Sequence, residues 1–125
     1  MNEQKRILIV DDDEALTDVL GDKLREAGYT VVITHDGAEG LAKAIEIHPD
    51  LILLDMKMPK MDGLTMLANL RKDPWGERAR VVMLTLLDQE ESVAKAIELH
   101  ATEYFLKTGW SMDEIVEKIK ENLSI

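Results

Sequence analysis

The 125-residue chain contains no cysteine, which excludes disulfides, thiol catalysis and zinc sites built on thiolates. It also lacks a long hydrophobic run. The apolar stretch after the cationic start MNEQKR is only ILIV, too short for a signal-peptide core or a membrane span. Positive charge is scarce: 15 Lys and Arg stand against 25 Asp and Glu, for a formal net charge of -10. Binding to nucleic-acid phosphates is driven by clustered Lys and Arg, so the composition argues against a direct nucleic-acid surface; any DNA contact would go through a partner or a further domain. A cytoplasmic protein without membrane contact is expected.

What is present is the composition of a globular protein, 46% hydrophobic and 32% charged. The length suits one hydrophobic core, and no linker, repeat or low-complexity tract divides it, so residues 1–125 are read as a single domain with no output domain. Short apolar runs recur at Ile7 to Val10, Thr30 to Thr34, Leu51 to Leu54, Val81 to Leu84 and Tyr104 to Leu106. Helical spacing fills the gaps. The stripes are Leu16, Val19, Leu20 and Leu24; Leu41, Ala44, Ile45 and His48; Leu64, Leu67, Ala68 and Arg71; Val93, Ala96, Ile97 and His100; and Ile115, Ile119 and Leu123. Strands apolar at nearly every position are buried on both faces, which predicts a parallel sheet covered by helices, an α/β doubly wound architecture. Gly28, Pro49-Asp50 and Asp73-Pro74-Trp75-Gly76 punctuate the helices, and Ser111-Met112-Asp113-Glu114 has capping-box spacing.

In an open parallel sheet, ligands bind beyond the carboxyl ends of the strands. There the first strand runs into Asp11 and Asp12, the third into Asp55, the fourth into Thr85 and the fifth into Lys107, whereas the amino ends are expected to carry no comparable set. Three converging carboxylates repel unless a cation lies among them, and ligation by oxygen alone suits Mg²⁺ better than Zn²⁺. A hydroxyl and an ammonium on the same rim suit phosphoryl oxygens, and an aspartate beside a divalent ion is a competent nucleophile. The residue chemistry points to metal-assisted phosphoryl transfer.

The pieces ILIVDD at 7–12, LILLDMKMPKMDG at 51–63, VVMLT at 81–85 and ATEYFLK at 101–107 are jointly specific, and with them the chain resembles the receiver domain of two-component response regulators over essentially its whole length. The resemblance implies a (βα)5 flavodoxin-like fold with strand order 2-1-3-4-5 and helices on both faces. It implies that Asp55 is the phosphoacceptor, supplied by a histidine kinase, a phosphotransfer protein or a small donor. Asp11, Asp12, Asp55 and the backbone carbonyl of Lys57 would hold Mg²⁺, with Mn²⁺ the other candidate, while Thr85 and Lys107 would contact the phosphoryl oxygens. It further implies a switch in which Thr85 moves inward and Tyr104 changes rotamer. The face of the fourth helix, fifth strand and fifth helix would then bind an effector or a second copy.

Plainer roles are expected for Asp13, an N-cap or first-turn acid, and for Asp62-Gly63, a turn and helix entry. His35, His48 and His100 show no ligand spacing, and Met56, Met58, Met61 and Met66 read as packing fillers. Two alternatives stay open within and beyond the family: a pseudo-receiver that uses the same face without phosphorylation, and an aspartyl-nucleophile phosphatase. The phosphatase class wants a second acid two residues after the nucleophile, where this chain has Lys57; a flavin-binding reading lacks its Ser/Thr/Gly-rich phosphate loop.

The sequence departs from the family pattern twice. Lys107 is followed by Thr108-Gly109-Trp110 in place of the usual proline, and Ile115 and Ile119 fall one residue late, as though the loop carried an extra residue. A cis bond without proline costs about 2.5–4 kcal/mol, so a trans bond is expected there. Leu86 stands where a small residue is usual after Thr85, and Leu87 and Lys57 flank the path of attacking water. Shielding by Leu86 predicts a long-lived phosphoryl group and slow uptake from small donors. In a decay assay after phosphorylation, Leu86→Ala shortens the lifetime; an unchanged lifetime would rule shielding out.

Overall fold

A computed structural model describes residues 4–85, 94, 98, 103–106 and 111–123, with backbone only for Thr85 and residues 103–106. Leu86, Leu87, Lys107, the Thr108-Gly109-Trp110 departure and nearly all of the expected fourth helix lie outside the described residues, as do the side chains of Thr85 and Tyr104.

Five parallel strands form one sheet in the order β2-β1-β3-β4-β5. They are β1 (Arg6–Val10), β2 (Thr30–Thr34), β3 (Leu51–Asp55), β4 (Val81–Thr85) and β5 (Glu103–Leu106). Between and after them run α1 (Glu14–Glu26), α2 (Gly37–Ile47), α3 (Gly63–Lys72) and a C-terminal helix (Met112–Leu123). The expected order and fold class are those observed.

The central strands owe their place to alternation on two apolar faces. Ile7, Ile9, Leu51, Leu53, Val82 and Leu84 pack with Leu20 and Leu24 of α1 and Ile115 and Ile119 of the C-terminal helix. Leu8, Val10, Ile52, Leu54, Val81 and Met83 point the other way, onto Ala44 of α2 and Met66, Leu67 and Leu70 of α3. A strand with apolar side chains on both faces can be satisfied only between two helical layers.

Two of the expected stripes are corrected in detail. Val19 is 47% exposed and Ile45 39%, while the inward positions of α1 are Thr17, Leu20, Gly21 and Leu24, and those of α2 are Gly37, Gly40 and Ala44. The Thr17 hydroxyl is satisfied by donating to the Glu14 carbonyl at 3.1 Å, so it can be buried. Small residues on these faces let the helices approach the sheet. A Cβ on Gly40 would lie 2.7 and 2.8 Å from the two Cγ atoms of Val10, on the central strand that carries Asp11.

The helix starts match their sequence signals. Asp13, Asp36 and Asp62 each accept from the N–H three residues on, at 3.1, 2.8 and 2.7 Å. Ser111 and Glu114 close a reciprocal capping box, each bond 3.1 Å. Gly40→Ala is expected to lower unfolding free energy by about 1–3 kcal/mol through overpacking against Val10, read from the urea midpoint at unchanged slope.

Candidate functional site

Asp11, Asp12 and Asp55 each place a carboxylate oxygen within 4.8 Å of the others. The convergence follows from the sheet. β1 and β3 are hydrogen-bonded neighbours with Val10 opposite Leu54, so the residues after each pair, Asp11 and Asp55, leave the same edge side by side. Asp55 is the last residue of β3, extending that strand one residue beyond its apolar run. Asp11 is fixed by its N–H, which donates to the Thr34 carbonyl at 3.1 Å, and its Oδ1 accepts from the Asp13 N–H at 3.0 Å.

Burial divides the three acids. Asp11 is fully buried and Asp55 is 5% exposed, whereas Asp12 faces solvent. Two unit charges about 4 Å apart repel by about 4 kcal/mol at the effective dielectric typical of protein surfaces, so the cluster is costly without a counter-charge. The donor set fits a hard divalent cation: it offers oxygen alone, and its 4.8 Å limit only slightly exceeds the about 4.2 Å between opposite ligands of an octahedral Mg²⁺. Asp11, Asp12 and Asp55 would hold such an ion, with water completing its shell.

The loop after Asp55 is held on both sides. Gly63 donates its N–H to the Met56 carbonyl at 3.0 Å, and a Cβ on Gly63 would lie 2.0 Å from the Asp55 carbonyl oxygen, so only glycine admits this approach of α3 to the acceptor strand. Met61 donates to the Pro59 carbonyl at 2.7 Å around Lys60, whose φ of 67° gives a γ-turn in a conformation side chains rarely adopt. On the other side the Gly37 N–H donates to the Met61 carbonyl at 3.1 Å, and the Lys60 ammonium lies 3.7 Å from Asp36. This latch between the acceptor loop and α2 was not foreseen; a positive φ at lysine leaves no mark in the sequence.

The remaining expected site residues are placed as follows. Lys57 is exposed two residues beyond Asp55. Thr85 ends β4 directly after Leu84, the partner of Asp55, and its backbone pairs with Leu106 of β5, so Thr85 reaches the same edge and Lys107 follows Leu106. Tyr104 pairs with Met83, two residues back from that edge. Met56 and Met66 are buried and Met58 and Met61 pack against the same cluster, the filler role expected. The His48 ring stacks on Trp75 with centroids 4.4 Å apart, and His35 keeps both ring nitrogens out of solvent and out of the acidic cluster.

The opposite edge overturns one expectation. The amino ends of the strands do carry a charged set: Lys5 precedes β1, Asp50 precedes β3 and Arg80 precedes β4, with Arg78 beside them. No motif links these residues, because they come from separate loops.

Residues 7–120 match the family model described as "Response regulator receiver domain". The chain is 37% identical over 115 residues to the DNA-binding dual master transcriptional regulator RpaA of Synechocystis, covering 92% of this chain and 47% of RpaA. It thus spans about half the length of the curated relatives it matches. Among solved structures, a CheY-like response regulator receiver domain protein from Methanospirillum hungatei superposes with a TM-score of 0.87 at 35% identity, covering 98% of this chain and 95% of that one. The phosphorylated cyanobacterial phytochrome response regulator RcpA gives a TM-score of 0.84 at 30% identity, over 95% and 93% of the two chains. No helix among the described residues is long and apolar enough to cross a membrane.

Repulsion in the cluster has a direct consequence. In metal-free buffer, Asp12→Asn is expected to raise the thermal midpoint, because it removes one charge from the cluster at an exposed position where packing is unaffected. A lowered midpoint would mean that the carboxylates do not strain one another.

Proposed function

The chain belongs to the response regulator receiver domain family, and from that premise we propose that it is the phosphoacceptor module of a two-component phosphorelay, with Asp55 as the acceptor. The observation that carries the reading is the buried Asp55 carboxylate at a strand end, with Asp11 and Asp12 within 4.8 Å. One Asp55 oxygen attacks the phosphorus of a phosphohistidine on the kinase or phosphotransfer partner. The P–N bond breaks, an acyl phosphate forms on Asp55, and the departing imidazole takes up a proton. A bound Mg²⁺ or Mn²⁺ would neutralise the carboxylates and the incoming phosphoryl oxygens.

The chain's own residues mainly position the reacting groups. Asp11 is held by the Thr34 carbonyl and the Asp13 N–H, so its carboxylate is set before any ion arrives. The backbone carbonyl of Lys57 is the further protein ligand in this reading. The Thr85 hydroxyl and the Lys107 ammonium take two phosphoryl oxygens in this reading, and the backbone position of Thr85 at the end of β4, beside the strand that ends in Asp55, supports the first of these roles.

Charge added at Asp55 then biases a switch through Thr85 and Tyr104 toward effector binding or homodimerisation on the face containing β5 and the C-terminal helix. A near-complete change needs about 5 kcal/mol of preference for one state. The protein acts as a switch that assists its own phosphorylation and dephosphorylation, not as a turnover enzyme. RpaA is named as DNA-binding, but this chain's charge of -10 favours output through a partner or a further domain over direct contact with nucleic acid.

Incubation with Mg²⁺ and a phosphorylated histidine-kinase domain is expected to add a single phosphoryl group by mass, and Asp55→Asn to remove it. No adduct from either the kinase or acetyl phosphate would favour a pseudo-receiver. Sustained hydrolysis of a phosphate ester would favour a phosphatase.

A further inference from the structure

At the amino edge of the sheet, Lys5, Asp50, Trp75, Arg78, Arg80 and Leu123 line an open pocket of about 340 Å³. Five-residue strands rising about 3.3 Å per residue put it about 17 Å from the acidic cluster, so the two are separate sites. Three cations here face one acid in a chain whose net charge is -10. Asp50 is fixed in place, its Oδ2 accepting the Arg6 N–H at 2.7 Å, and it offsets only one of the three positive charges. Arg80 donates to the Asn122 carbonyl, while Lys5 and Arg78 are exposed and make no ion pair among the described residues. Three cations against one acid leave an excess of positive charge among the described residues of this edge, which favours an anion.

The wall of the pocket is rigid. Asp73 Oδ2 accepts the Trp75 and Gly76 N–H groups at 2.9 and 3.0 Å, and Arg71 Nη1 donates to the Gly76 and Ala79 carbonyls at 2.8 and 2.7 Å. These bonds fix the single turn Gly76–Arg78, and the stack on His48 holds the Trp75 indole. The pocket combines one anchored cation, Arg80, and two exposed ones, Lys5 and Arg78, with the Trp75 indole and Leu123 on a mainly polar lining, in a volume within the about 300–1,000 Å³ range of small-ligand sites.

We propose that this pocket binds a phosphate ester of mononucleotide size, with the phosphate on Lys5, Arg78 and Arg80 and the planar body against Trp75. Arginine forks match phosphate oxygens, and an aromatic wall rewards a planar group. The site is independent of phosphorylation at Asp55.

The test is an amide-shift titration of the ¹⁵N-labelled chain with AMP, inorganic phosphate and adenosine as probes. AMP is expected to shift the Lys5, Ala79, Arg80 and Leu123 amides saturably, with phosphate and adenosine each about tenfold weaker or more. Lys5→Glu with Arg78→Glu is expected to weaken AMP by about tenfold or more while leaving the thermal midpoint and the Asp55 adduct unchanged. Both positions are exposed, so the fold should survive. Three outcomes would overturn the proposal: no saturable shift up to about 10 mM AMP, equal affinity in the double variant, or phosphate binding as tightly as AMP, which would be an adventitious ion only.

Discussion

Repulsion among three carboxylates is the interaction on which the rest of the molecule depends. Asp11 and Asp55 are buried, and the sheet holds them beside exposed Asp12 within 4.8 Å. A flexible loop would relax such a cluster by swinging one acid into water. Here β1 and β3 are apolar on both faces and clamped between two helical layers, so the strand ends cannot retreat. The hydrophobic core thus holds the three carboxylates where a divalent cation would offset their repulsion, and a phosphoryl group on Asp55 would add to the charge that the cation must balance.

Much of this was legible in the chain because the signals were local. ILIV and LILL have no polar position, which demands burial on both faces, and each runs directly into acid. The capping box at Ser111 and Glu114 and the N-caps Asp13 and Asp62 likewise need only residues within one helical turn. Val19 and Ile45 misled because apolar character outweighed size. The faces that meet the sheet use Thr17, Gly21, Gly37 and Gly40, where small volume or an internal hydrogen bond decides burial. The Lys60 γ-turn and the amino-edge cations were not legible at all, one being a backbone conformation and the other a meeting of separate loops.

The fold also segregates charge. Acids gather beyond the carboxyl ends of the strands, whereas Lys5, Arg78 and Arg80 gather near the amino ends. Between them the acceptor loop is tied to α2 through Gly37, Met61, Asp36 and Lys60, so a change in charge at Asp55 meets a loop braced on one side. On the other side β4 carries Thr85 to the same edge, in the direction of the proposed switch.

Calorimetric titration of Mg²⁺ into the native chain and into Asp12→Asn addresses the central claim most directly. The account predicts one ion per native chain and an affinity about tenfold weaker or more in the variant, since a ligand and a compensated charge are both lost. Equal affinity in the two proteins would contradict it, because the three carboxylates would then not act as one site.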